Sequence, residues 1–212
     1  PLPAAAAEAP RAWEAGLRVG TLGLGLEARR ALSDRLAFRV GAGYFDYGTD
    51  IDASGIDYDV DLTVGGITAG LDWHPFANGL HLSAGALWNL FEIEGDARPV
   101  SGTFDFDGTE YPVADIGSAR ATVGFDAVAP YVGVGYAHAP RGDRGWTLAV
   151  SAGLAFAGSP TFTLDVTCGP ALNAAECALL QADVTAEARA AEADVDDYEL
   201  FPMVTFGLSR RF

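Results

Sequence analysis

From Leu200 to Phe212 the chain sorts itself into two faces. Leu200, Pro202, Val204, Phe206, Leu208 and Phe212 fall on one, interrupted by Arg210. Phe201, Met203, Thr205, Gly207, Ser209 and Arg211 fall on the other. A period of two is the signature of a β-strand. An apolar face this continuous is a hazard on a strand edge in water, and the sequence holds no later residues to cover it. The closing strand of a membrane barrel resolves both problems. Lipid covers the outer face, and closure removes the edge.

The same alternation recurs upstream. Leu36, Phe38, Val40, Ala42 and Tyr44 alternate with Ala37, Arg39, Gly41, Gly43 and Phe45. Similar runs cover 67–74, 80–89, 128–138 and 146–156. Each comes close to or exceeds the roughly 9–11 residues that a tilted strand needs to cross a bilayer. In every run one face is apolar and the other is Gly, Ala, Ser, Thr and a few charges, as a barrel lumen requires. The apolar phase slips at Gly65–Gly66, which reads as a β-bulge. Residues 13–32 are long for one strand. Either they are two short strands with a tight turn near Gly20–Gly23, or the N-terminal tail supplies a strand. The expected fold is all-β: one antiparallel transmembrane barrel of eight strands over 13–212, behind a tail at 1–12.

Turns near 33–35, 77–79 and 140–145 are short. Connections near 48–57, 93–118 and 160–197 are long. Outer-membrane barrels put short turns inside and long loops outside, which orients the chain. Phe38, Trp73, Phe76, Tyr136, Trp146 and Phe212 then gather at the inner interface as an aromatic girdle. Residues 174–194 are Ala-rich, free of Gly and Pro, and place Leu180, Val184, Ala188 and Ala191 on one side. They predict a helix in the last external segment, either an ordered loop helix or a lid over the mouth.

Half of the 212 residues are hydrophobic, yet no run of 18 apolar residues offers a membrane-spanning helix. All 13 basic residues are Arg, and the net charge of −16 excludes nucleic-acid partners, which need a basic face. Pro1–Pro10 lacks a charged n-region, so the chain reads as the mature form after signal-peptide removal. In an exported protein Cys168 and Cys177 read as one disulfide.

The final strand, with apolar residues at every second position before a terminal Phe, resembles the C-terminal signature of small Gram-negative outer-membrane barrels of the OmpA/OmpX/OmpW kind. Many members carry Tyr two places before that Phe, where this chain has Arg210. The resemblance implies an outer-membrane location among lipids and lipopolysaccharide. It also implies recognition by the barrel-assembly machinery through Phe206, Leu208 and Phe212.

Two groups of residues are candidates for function. In the first, Asp72, His74, His81 and Ser83 face inward on one hairpin, and Arg18, Glu27, Arg29 and Arg39 can form ion pairs across the lumen. A His–Asp–Ser grouping invites comparison with a hydrolase. No G-x-S-x-G elbow exists, the group lies at the wrong end for an outer-membrane hydrolase, and a satisfied polar network explains it without catalysis. No enzyme and no cofactor are expected. The second group is charge. Segments 50–61, 92–115 and 165–199 hold 21 of the 29 acidic residues but only Arg98 and Arg189. Asp50, Asp52, Asp57, Asp59 and Asp61 offer hard oxygen ligands without a complete calcium loop, so the metal question stays open.

Two functions remain. One is a narrow passive conduit for small cations or hydrophobic solutes, selected by the anionic mouth and helped by space at the inward glycines. The other is a structural or surface-interaction barrel whose acidic external segments bind divalent cations, lipopolysaccharide or a partner protein. A continuous path past Arg39, Asp72 and His74 favours the first; a closed polar plug favours the second.

Overall fold

The computed structural model describes residues 13–212 except 54–55, 77, 100–101, 139–144 and 196–198. For 51–53, 56–58, 98–99, 114 and 194–195 it describes the backbone alone. The expected tail at 1–12 and most of the turn at 140–145 lie outside the described residues.

The strands are β1 (Trp13–Gly20), β2 (Gly23–Ser33), β3 (Leu36–Ala53), β4 (Ile56–Trp73), β5 (Leu80–Asn89), β6 (Glu92–Pro99), β7 (Thr103–Phe106), β8 (Thr109–Pro112), β9 (Ile116–Gly124), β10 (Val128–His138), β11 (Gly145–Phe156), β12 (Thr161–Cys168) and β13 (Leu200–Arg211). One helix, α1, spans Ala174–Val195. Eight strands close a barrel in the order β1-β2-β3-β4-β5-β10-β11-β13, and β13 pairs antiparallel with β1. Residues 13–32 resolve into two strands, with the turn at Thr21–Leu22. The Phe212 amide donates to the Trp13 carbonyl at 3.0 Å and extends the closing seam.

The outer wall carries the expected lipid surface. Leu17, Leu24, Leu26, Ile67, Leu71, Leu148, Val150, Phe206 and Leu208 are all exposed. Trp13, Trp73, Tyr136, Trp146 and Phe212 ring the short-turn end. Tyr44, Trp88 and Phe156 ring the other. Along β10 the two rings are separated by about eight residues, roughly 20–25 Å at usual strand rise and tilt, which matches a barrel's apolar band.

Two expectations change above the upper ring. The first is the bulge at Gly65–Gly66. The β3–β4 register runs unbroken from Leu36↔Trp73 to Ala53↔Ile56. What changes is the neighbour: β4 pairs with β5 below this point, from Gly66 down, and with β6 above it, from Thr63 up. The second is the set of long loops, which are mostly built structure. Residues 48–57 continue β3 and β4 around 54–55. The segment 93–118 holds most of β6, then β7, β8 and the start of β9, and 160–197 holds β12 and α1. Strands β3, β4, β6, β9 and β12 form a five-stranded sheet that carries one side of the barrel wall outward. The wall over β1 and β2 stops at Thr21–Leu22.

The face of this sheet that continues the lumen side is apolar. Tyr47, Leu62, Ile93, Val123 and Phe162 form one cross-strand row, and Ala97, Ala119 and Val166 part of another. On that second row Leu180 and Val184 of α1 pack with Phe106 and Ile116 in a buried core. The β7–β8 hairpin turns through Asp107 (φ 51°) and Gly108 (φ 78°), a left-handed pair suited to an Asp-Gly turn. Helix α1 starts at a capping box. Asn173 Oδ1 accepts from the Ala175 and Glu176 amides, and Glu176 Oε2 accepts from the Asn173 amide.

Candidate functional site

The inward residues of the barrel form layers. At the short-turn end Arg211 Nε donates to Glu14 Oε1 at 2.8 Å, tying β13 to β1. Above this, Arg29 Nη2 lies 2.6 Å from His74 Nε2, and the His74 and His81 rings sit 5.3 Å apart. The centre is Asp72, only 1% exposed. It accepts from Ser83 Oγ at 2.8 Å, pairs with Arg39 Nη2 at 3.1 Å and lies 3.4 Å from Arg29 Nε. Arg39 also donates to Ser83 Oγ at 3.0 Å and lies 3.6 Å from Glu27. The expected cluster of Arg39, Asp72, His74, His81 and Ser83 is therefore one connected network. Its geometry is not that of a hydrolytic triad, because Ser83 donates to Asp72 and neither histidine reaches it.

Three inward glycines, Gly41, Gly70 and Gly135, are sockets for large side chains from strands one or two places along the wall, while Gly133, Gly153 and Gly207 line small cavities. A Cβ at Gly41 would strike the Arg18 guanidinium, one at Gly70 the Tyr131 hydroxyl, and one at Gly135 the His81 ring. Arg18 crosses from β1 to β4, where Nη1 donates to Thr68 Oγ1 at 2.9 Å, and Thr68 donates on to the Gly41 carbonyl. Above this layer Leu22, Leu87, Ala129 and Ala155 are buried with Phe125, Phe201 and Met203 packed against them. Phe91 meets Phe125 edge-on at 5.2 Å. Leu22 comes from the β1–β2 turn and folds over the lumen rather than into water. An eight-stranded barrel has an interior that side chains can just fill, and here an ionic layer and an apolar layer occupy it, leaving cavities of about 30 Å³ beside Arg18 and about 20 Å³ beside Asp72.

Outside the membrane the acidic residues lie on strands, not on a loop. They occupy the face that continues the lipid side of the wall. Register places Asp50, Asp59, Asp96, Arg120 and Asp165 in one row across five strands, and Asp61 beside Glu94 in the next. Asp50 stands opposite Asp59, an alignment of like charges that works against sheet stability. In backbone register Asp52 stands opposite Asp57, and both side chains lie outside the described residues. Arg120 was not among the expected residues, because it lies outside the acid-rich segments. It grips Asp96 through Nε at 2.8 Å and Nη2 at 3.0 Å, and Glu94 through Nη1 at 2.6 Å. Its side chain is half-exposed, so these pairs position more than they stabilise. Among the described residues no group of three or more His, Cys, Asp or Glu is placed to hold a metal ion.

Cys168 and Cys177 are bonded, with Cα atoms 5.7 Å apart, and fasten the end of β12 to the first turn of α1. Gln181 Nε2 donates to the Val166 carbonyl at 2.6 Å, which occupies an acceptor on the outer edge of β12. Tyr111 donates to Asp183 Oδ2 at 2.6 Å. That carboxylate pushes the phenol up to about 12, so Tyr111 remains a donor at neutral pH. Phe206, Leu208 and Phe212 are exposed on the lipid face of β13.

No protein-family model matches the chain, and no characterised protein matches it in sequence. Solved structures with the same architecture exist. Acinetobacter baumannii CarO2 superposes with a TM-score of 0.60 at 20% identity, over 95% of this chain and 99% of that one. Acinetobacter baumannii CarO superposes with a TM-score of 0.55 at 21% identity, over 92% and 95%. At such identity the likeness concerns the fold, and the OmpA/OmpX/OmpW assignment gains no support from it. This chain has the fold of an outer-membrane β-barrel similar to CarO.

Proposed function

We propose that the protein is an outer-membrane anchor whose external sheet works at the cell surface. The acidic rows form a layer with divalent cations and the phosphates of neighbouring lipopolysaccharide. One observation carries this reading: the acidic face is the direct outward continuation of the lipid-facing wall. On β4, Ile67 and Leu71 face lipid, and Asp61 and Asp59 follow on the same side. Those carboxylates stand where the headgroups of outer-leaflet lipids stand. Two anionic layers in contact repel unless mobile cations gather between them. The lack of a chelating cluster among the described residues fits a diffuse layer better than a calcium site. The conduit reading needs the Asp72 network and the apolar layer above it to move aside.

The test compares wild type with Asp50→Asn/Asp61→Asn/Glu94→Gln in lipopolysaccharide vesicles. Magnesium is expected to raise the thermal stability of the wild type beyond sodium at equal ionic strength, with the gain reduced in the variant. Equal gains in both would refute the surface role. Steady single-channel conductance by the wild type in a planar bilayer would return the conduit reading to first place. The assembly role of Phe212 is likewise a proposal. Deleting it is expected to lower the amount of barrel reaching the outer membrane more than its stability once folded.

A further inference from the structure

The charge inside the barrel does not balance. Arg18, Arg29, Arg39 and Arg211 point inward against Glu14, Glu27 and Asp72. Arg211 takes Glu14, while Arg29 and Arg39 share Asp72, with Glu27 beside Arg39. Among the described residues Arg18 has no carboxylate within ion-pair distance; Glu27, two positions along β2 from its register partner Gly25, acts on it through space and is shared with Arg39. Arg18 is 4% exposed, Nη1 is committed to Thr68, and Nη2 is buried without a hydrogen-bond partner. A buried guanidinium that shares one distant carboxylate and leaves a donor unpaired is unfavourable.

Arg18 lines a cavity in the middle of the barrel that no acidic residue touches. Ser151 and Thr205 stand opposite each other on β11 and β13 in its wall, and Tyr131 joins from β10. None of these three hydroxyls is hydrogen-bonded to a described residue. The cavity offers about 30 Å³. At roughly 10–15 Å³ per water this is space for two or three waters. It fits a small ion and excludes a large solute.

We propose that the barrel carries a resident small monovalent anion, a halide or a formate-sized carboxylate. Arg18 Nη2 holds it, and the Ser151, Thr205 and Tyr131 hydroxyls donate to it. The ion completes the charge balance of the plug. This site is independent of the external acidic face and of the surface role proposed for it.

Bromide is the probe. Full-length protein in detergent, in a sodium gluconate background whose anion is too large for the cavity, is titrated with sodium bromide and followed by bromide NMR line width. Crystals grown in bromide locate the ion by anomalous scattering. The expected result is one saturable bromide per chain, within hydrogen-bonding distance of Arg18 Nη2, and its loss in Arg18→Met. If that variant does not fold, Ser151→Ala/Thr205→Val is expected to bind at least about tenfold more weakly, the value of one charge-assisted hydrogen bond. Three outcomes overturn the proposal: folded wild type with no saturable bromide, meaning water alone occupies the cavity; undiminished binding in folded Arg18→Met; or unchanged affinity in the double variant.

Discussion

Strand β4 lives in two solvents. In its lower half, from Gly66 to Trp73, the outward residues Ile67, Leu71 and Trp73 are apolar, and the inward residues Thr68 and Asp72 are polar. In its upper half the order inverts. Asp59 and Asp61 continue the outward face, and Val60, Leu62 and Val64 the inward one. The backbone register does not shift between the halves. Only the surroundings change, from lipid outside a polar lumen to water outside an apolar core. Side-chain polarity on a strand therefore reports which medium meets each face, and a reversal of polarity need not mean a slip of register.

Three substitutions on β4 test this contrast. The largest effect is expected at Asp72, which compensates two arginines. Asp72→Asn should cost about 3–5 kcal/mol, the usual consequence of leaving buried charge unpaired, read as a loss of denaturant stability of the barrel in detergent or bilayer. Next come two substitutions on one face of β4. Leu71→Arg should cost about 1–3 kcal/mol in a lipid bilayer, as charge does between the midplane and the interface of a barrel wall. Asp61→Arg, only ten positions up the strand, should change stability by less than about 1 kcal/mol. Equal costs would show that both halves meet the same medium.

The disulfide tests whether the outer unit has a stability of its own. Cys168→Ser/Cys177→Ser should remove about 2–3 kcal/mol from the external core by the chain-entropy account. Protease susceptibility should rise around β12 and α1 while the barrel keeps its heat-modified gel mobility. Loss of that mobility shift would show that the two regions unfold as one. The smallest effect is expected at Asp50→Asn. Relieving its repulsion with Asp59 should stabilise by roughly 0.2–1 kcal/mol, and the gain should shrink at high salt. An unchanged melting temperature at low salt would mean that Asp50 and Asp59 do not repel one another across the sheet.

Much of this was legible from period-two patterning. The barrel, the lipid face, the inward cluster around Asp72, the disulfide and the extent of α1 all follow from residue order, because lipid imposes one polarity on every outward position. The outer sheet was less legible. Its strands β6, β9 and β12 are short, β6 is acid-rich, and they read as loops because their apolar faces appear only when α1 and the β7–β8 hairpin pack against them. Arg120 was missed for the same reason: its partners Glu94 and Asp96 lie 24 or more positions away and meet it only through strand pairing.

The closing strand shows what the sequence by itself determines here. An alternating face from Leu200 to Phe212, apolar on every outward position but Arg210, calls for lipid on one side and a lumen on the other. That constraint is local and holds for any tertiary arrangement. Whether the lumen is open is decided only in three dimensions. The inward glycines look like space in the sequence, but Gly41, Gly70 and Gly135 are filled by Arg18, Tyr131 and His81 from other strands. The physical reason is that a barrel interior is shared. The room left by one strand is taken by side chains of strands one or two places along the wall, and its net charge is set by all eight together.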